Sequence, residues 1–200
     1  MIRFGMAWRM SGRGYTIFDT AIGRCGIAWG EPGVAAVQLP EAREIETRRR
    51  LFQLFPEARE LRPPAEIQGA IEGIAALLRG KPTDLSEVQL DMTGTPAFNA
   101  RVYQFTRGIP RGETRSYAEV AAALKASGAT HSVAQALAKN PFMLIVPCHR
   151  VLATDHAERM SPFGGSISKR RLLGIDGATT PSSRTLFDVL LPIAPPRPQG

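Results

Sequence analysis

The stretch Leu144-Ile145-Val146-Pro147-Cys148-His149-Arg150-Val151-Leu152 constrains this chain more than any other. Two aliphatic, β-branched runs, Met143 to Val146 and Val151-Leu152, call for burial. Between them stand a proline, a thiol, an imidazole and a guanidinium. The chain therefore has to turn sharply here, at the mouth of a buried core. A thiol attacks as thiolate, and a free Cys with a pKa of about 8.5 supplies only a few per cent of it at neutral pH. His149 is the adjacent candidate base. Neighbouring residues of a strand point to opposite faces, so Cys148 and His149 can communicate only through the turn geometry or a bridging water. A lone Cys is most simply a buried structural residue. The Pro before it and the His-Arg after it tilt the reading toward a reactive thiol.

Composition narrows the class. Two hundred residues with 44% apolar content allow one large or two small globular domains. The only other Cys, Cys25, is far away in sequence, so a disulfide framework is not expected and a reducing cytosol is. No apolar run nears the roughly 18 residues of a membrane span, which predicts a soluble, cytoplasmic protein with no membrane partner. The three His and two Cys show no zinc spacing, and no metal is expected. Residues 1–93 carry 12 basic and 12 acidic side chains, whereas residues 94–177 carry 11 and 5. The positive field thus belongs to the half that holds Cys148, and such a field attracts a polyanion. A merely solvated basic surface is the plainer explanation.

Taken in order, the chain reads as α+β. Residues 1–14 form a leader. Tyr15 to Ile22, Arg24 to Trp29 and Val34 to Leu39, parted by Gly23 and by Gly30-Glu31-Pro32-Gly33, predict a β-meander. Glu41 to Phe55 predicts a helix ended by Pro56. Ile67, Ala70, Ile71, Ile74, Ala75 and Leu78 recur at helical spacing and stop at Gly80-Lys81-Pro82. A last strand, Val88 to Met92, is expected to close a small α/β domain over 1–93. In a second domain, 94–178, Thr95 is placed at an N-cap and Pro96 at N1 of a helix reaching about Thr106. Ser116 caps a helix from Tyr117 to Leu124, with Glu119 completing a capping box. Thr130 caps a third from His131 to Ala138. The last two, joined through Ser127-Gly128-Ala129, make a helix-turn-helix pattern, itself weak evidence for DNA binding. Ser132, Ala134, Ala136 and Ala138 keep the last helix slim. Ala153 to Pro162 reads as a polar loop, Gly164-Gly165 as a tight turn, and Lys169 to Leu173 as a basic helix ending at Gly174-Ile175-Asp176-Gly177. Residues 179–200 are a Pro-rich tail.

Pro147-Cys148-His149-Arg150 resembles the active-site signature of the O6-alkylguanine-DNA alkyltransferases. Further blocks agree in order and spacing: Gly94-Thr95-Pro96-Ala97-Phe98, Ile109 through Tyr117, Asn140-Pro141, Gly164-Gly165 and Lys169 to Gly177. The resemblance covers residues 94–177. It implies direct, irreversible transfer of an alkyl group from O6 of guanine to Cys148, with O4-alkylthymine left open as a further substrate. No cofactor is implied. His149 is then the base that draws the thiol proton through water, Asp176 orients His149, and Asn140 holds the turn. Tyr117, His131, Ser132, Arg150, Phe163, Gly164 and Lys169 are the implied DNA- or base-contacting positions. The partner is double-stranded DNA bearing alkylated bases, bound by a monomer through the minor groove.

Three departures from the family pattern stand out. His131 stands where the family has an intercalating Arg, a shorter and mostly neutral substitute. Pro162 and Phe163 stand where Tyr and Ser contact the base, in a loop one residue longer, leaving Phe163 a backbone N–H to offer. Asp176 replaces a Glu. Two other classes stay open: a non-catalytic protein that binds alkyl lesions, and a thiol hydrolase built on Cys148, His149 and Asp176.

Overall fold

The computed structural model describes residues 14–153 and 169–178. The expected leader, the polar loop with Phe163 and Gly164, and the Pro-rich tail lie outside them. The three expected strands form a meander: β1 (Gly14–Thr20), β2 (Gly23–Gly30) and β3 (Gly33–Gln38), antiparallel throughout. Alternate residues of β2 face opposite layers. Cys25, Ile27 and Trp29 pack with Val37 and Leu39 beneath α2 (Ala65–Leu78), which buries Ile67, Ala70, Ile71, Ile74, Ala75 and Leu78 as their spacing predicts. On the other face Ala28 and Ala36 meet Leu51 and Phe55, at the end of α1 (Glu44–Leu54). That face has to be small. A Cβ on Gly26 would lie 2.4 Å from Leu51 Cδ1.

The fourth strand is not the expected one. β4 (Arg59–Glu60) pairs parallel with β1, giving the order β3-β2-β1-β4. Val88 to Met92 makes only a single bridge, Leu90 to Val34. Val34 N–H donates to the Gln89 carbonyl at 2.9 Å and Asp91 N–H to the Val34 carbonyl at 2.7 Å. The buried Asp91 then accepts from Thr93 N–H at 2.9 Å, and this side-chain turn bends the chain away before a ladder can grow.

The second half packs α3 (Ala97–Arg107), α4 (Tyr117–Ala123) and α5 (Thr130–Ala138) around Val102, Tyr103, Val120, Val133 and Leu137. The capping box at α4 is complete: Ser116 Oγ accepts from Glu119 N–H at 3.1 Å, and Glu119 accepts from Ser116 N–H at 2.5 Å. The other two caps are shifted. Thr95 is drawn into a turn on Met92, so Pro96 takes the N-cap position, and Thr130 is already helical behind Ala129. Neither helix has a side-chain cap bond. Two short parallel strands, β5 (Arg115–Ser116) and β6 (Val151–Leu152), tie the start of α4 to the chain after Cys148. α6 (Lys169–Asp176) runs three residues beyond the expected Leu173, because Gly174 continues the helix and Gly177, at φ 73, ends it.

The run that leads to Cys148 is embedded in both halves. Met143, Leu144 and Ile145 enter the core under the sheet, whereas Phe142 and Val146 enter the helical core. Cys148 packs against both. Among the described residues, no helix is long and apolar enough to cross a membrane.

Candidate active site

The turn around Cys148 is built by backbone groups that close on each other. Val146 N–H bonds back to Phe142 O at 2.8 Å and Cys148 N–H to Val146 O at 2.8 Å, leading into a single 3-10 turn over Cys148–Arg150. Asn140, buried at the end of α5, spans the loop. Its Nδ2 donates to the Val146 carbonyl at 2.9 Å and its Oδ1 accepts from Phe142 N–H at 2.9 Å. β3 holds the loop from outside through Val37 N–H to the Pro141 carbonyl, 2.8 Å. A buried loop with its polar groups paired in this way has little freedom.

Burial pushes the Cys148 thiol up from its ordinary value, while a hydrogen bond from the Asn140 amide, the Lys169 charge and nearby backbone N–H groups pull it back. The thiol is therefore mostly protonated at rest and needs a base to become a nucleophile. His149 is buried beside it in sequence, with Nε2 at 2.9 Å from Asp176 Oδ2. Burial lowers the His149 pKa, and the Asp176 hydrogen bond and charge oppose the shift. For Asp176, burial acts to raise the carboxyl, but hydrogen bonds from His149 and Arg150 outweigh it and hold it at about 2. An ionised carboxylate only accepts, so the bond fixes the proton of a neutral His149 on Nε2 and leaves Nδ1 as a lone-pair acceptor.

Arg150 has a different place from the expected contact with a base. It is buried, with Nε 2.6 Å from Asp176 Oδ2, Nη2 3.2 Å from Oδ1 and Nη1 2.8 Å from the Ile109 carbonyl. Its fork braces the carboxylate that holds His149. Nothing in the tetrad Pro147 to Arg150 distinguishes a bracing Arg from a DNA-contacting one. The signal was the apolar run on both sides of it, which buries whatever stands between. Tyr117, half-buried at the start of α4, lies under Lys169, whose Nζ is 5.5 Å from the ring centroid and also donates to the Val151 carbonyl. Burial raises the Tyr117 pKa and the Cys148 charge adds to it, which places ring, ammonium and thiol in one electrostatic neighbourhood.

Cys148, His149, Asp176, Asn140, Arg150, Tyr117 and Lys169 are thus brought together. His131 and Ser132 stand apart, exposed on the first turn of α5, where a ring nitrogen of His131 lies 2.9 Å from the Gln135 amide. Among the described residues no His, Cys, Asp and Glu cluster has the makings of a metal site. A paired imidazole beside a thiol in a fixed turn is equipped for nucleophilic attack.

The family described as 6-O-methylguanine DNA methyltransferase, DNA binding domain, matches residues 97–178. The methylated-DNA–protein-cysteine methyltransferase of Mycobacterium tuberculosis is 39% identical over 126 residues, which span 62% of this chain and 74% of that protein. The crystal structure of the Mycobacterium tuberculosis O6-methylguanine methyltransferase superimposes with a TM-score of 0.64 at 32% identity, covering 88% of this chain and 99% of that one. The structure of Mycobacterium tuberculosis OGT in complex with DNA does so with a TM-score of 0.60 at 29% identity, covering 82% and 92%. On these likenesses, joined to the site just described, the chain belongs to the methylated-DNA–protein-cysteine methyltransferase family.

Proposed function

We propose that the protein repairs O6-alkylguanine in DNA by moving the alkyl group onto Cys148, once per molecule. The observation that carries this reading is the buried His149–Asp176 hydrogen bond, 2.9 Å, adjoining a thiol whose turn Asn140 fixes. His149 takes the thiol proton through water, and the sulfur electron pair attacks the alkyl carbon. The C–O6 bond breaks as the S–C bond forms, its electron pair returns to the guanine, and a proton restores the neutral base. The product is guanine and S-alkylcysteine. A thioether is a very poor leaving group, so the thiol is not regenerated.

Delivery of the base follows from the other half of the site. The 11 basic against 5 acidic side chains of residues 94–177 draw the duplex in. The α4–α5 pair presents the slim α5 to the minor groove, with Ser132 on the groove side. Tyr117 crowds the phosphodiester of the target and favours its rotation outward. His131 enters the gap left in the stack, and Lys169 borders the pocket for the extruded base. Arg150 serves the chemistry from behind, through Asp176.

Mass spectrometry of the intact protein after incubation with a duplex containing O6-methylguanine tests the proposal. Expected is a gain of one CH2 located at Cys148. Tight binding to the lesion without that adduct would instead select a non-catalytic lesion-binding protein.

A further inference from the structure

The last four carbonyls of a helix have no partner within it, and each needs one where the end is covered. In α6 they belong to Leu173, Gly174, Ile175 and Asp176. Gly177 N–H takes the Gly174 carbonyl at 3.1 Å and Ala178 N–H takes that of Leu173 at 3.0 Å, a Schellman ending. The Ile175 and Asp176 carbonyls are left over. One side chain takes both: Arg111, through Nη2 at 2.7 Å and Nε at 3.2 Å. A guanidinium there also meets the negative end of the helix dipole. Arg111 comes from the turn before β5 and runs beside the end of α2, where a Cβ on Gly80 would stand 3.9 Å from its Nη2.

Asp176 carries the carboxylate that holds His149. Its side chain leaves the backbone at the point Arg111 fixes, and a single methylene of reach gives it little slack. Arg150 grips the carboxylate itself, whereas Arg111 grips the peptide groups beneath it. We infer that Arg111 is a positioning residue for alkyl transfer: by completing the cap of α6 it sets the Asp176 carboxylate against His149. This rests on the reading of Cys148, His149 and Asp176 as the transfer site.

The test is single-turnover transfer by the full chain, from a duplex containing O6-methylguanine and from free O6-benzylguanine. Wild type, Arg111→Ala, Asp176→Asn and the double variant are compared. Arg111→Ala is expected to slow both substrates alike by about tenfold, the scale of a catalytic group misplaced by a fraction of an ångström. With Asp176→Asn already present, it should cost nothing further, because its action passes through Asp176. A helix cap that served stability alone would not show that non-additivity. A folded Arg111→Ala protein with wild-type rates, losses that multiply in the double variant, or a loss confined to the duplex would each overturn the inference. Should Asp176→Asn transfer as fast as wild type, the underlying reading of the site fails. If Arg111→Ala does not fold, Arg111→Lys carries the same comparison, since it keeps the charge but cannot span two carbonyls with a planar fork.

Discussion

Asn140 and Val146 are joined by a 2.9 Å hydrogen bond from side-chain amide to carbonyl, and the same amide group accepts from Phe142 N–H. One side chain therefore satisfies two buried backbone groups of the loop that ends in Cys148. Asn140→Ala leaves Phe142 N–H without a partner and leaves the Val146 carbonyl only its bond from Cys148 N–H, and it is expected to cost about 1–3 kcal/mol of stability, with slower transfer in the fraction that folds. Urea unfolding measures the first and single-turnover kinetics the second. A variant as stable as wild type would show that the loop does not depend on this amide.

The two cysteines are expected to separate cleanly. Cys148→Ala should abolish transfer and leave DNA affinity nearly unchanged, because phosphate contacts supply most of the binding. Cys25 is fully buried under α2, its thiol pushed up to about 11 by burial. Cys25→Ser places a hydroxyl there and is expected to cost about 1–2 kcal/mol while transfer persists. Transfer surviving Cys148→Ala would refute the assignment of the nucleophile.

Acid should weaken the fold in two stages. Both His149, lowered by burial, and Asp176, held at about 2 by its hydrogen bonds, have native pKa values below the unfolded ones. The unfolded chain then binds protons first as the pH falls, so stability rises with pH. The His149 part is complete above roughly pH 6.5 and declines below it, and the Asp176 part is complete above roughly pH 3.9 and declines toward its native value. Urea midpoints at stepped pH check this, with His149→Gln expected to remove the upper stage. Equal midpoints at pH 7.5 and 5.5 in the wild type would contradict it.

On the proposed reading, His131 stands where the extruded base leaves its gap, with a shorter side chain and fewer donors than an Arg would bring. His131→Arg is expected to speed transfer from duplex DNA by about tenfold or more, the worth of one added charge-assisted hydrogen bond. The rate on free O6-benzylguanine should stay as it is, since no extrusion is needed. Equal duplex rates before and after the substitution would assign the wedge elsewhere.

Binding to DNA should weaken steeply with salt, and charge reversals among residues 94–177 should matter more than reversals before them. Lys125→Glu and Lys139→Glu against Arg59→Glu and Arg62→Glu make the comparison, each by fluorescence anisotropy over a salt series. Matching slopes for the two pairs would count against the charged half as the DNA face.

What the sequence made legible is what local rules control. The helical spacing from Ile67 to Leu78 and the Ser116–Glu119 capping box each involve residues within a few positions, and both stand as read. The caps expected at Thr95 and Thr130 are each displaced by one residue, Thr95 standing before the N-cap in a turn on Met92 and Thr130 already inside the helix, and contacts outside the helix decide this rather than the Thr itself. β4, two residues long, exists only because the chain after α1 returns beside β1, which no local pattern announces. At the site, Cys148, His149, Asn140 and Asp176 were marked by their types and by family resemblance. The bracing by Arg150 and the grip of Arg111 on α6 join residues 26 and 65 positions apart, and a guanidinium in sequence does not say which oxygens it will meet.

The run from Phe142 to Val146 has a consequence for modularity. Charge divides this chain near residue 93, but packing does not, since alternate stretches of one run are embedded in the two cores and β3 grips Pro141 from the far side. The DNA-facing half is thus no transplantable cassette. Grafted onto another partner at that charge boundary, it would keep its helices and its field and lose one wall of the socket that seats the thiol.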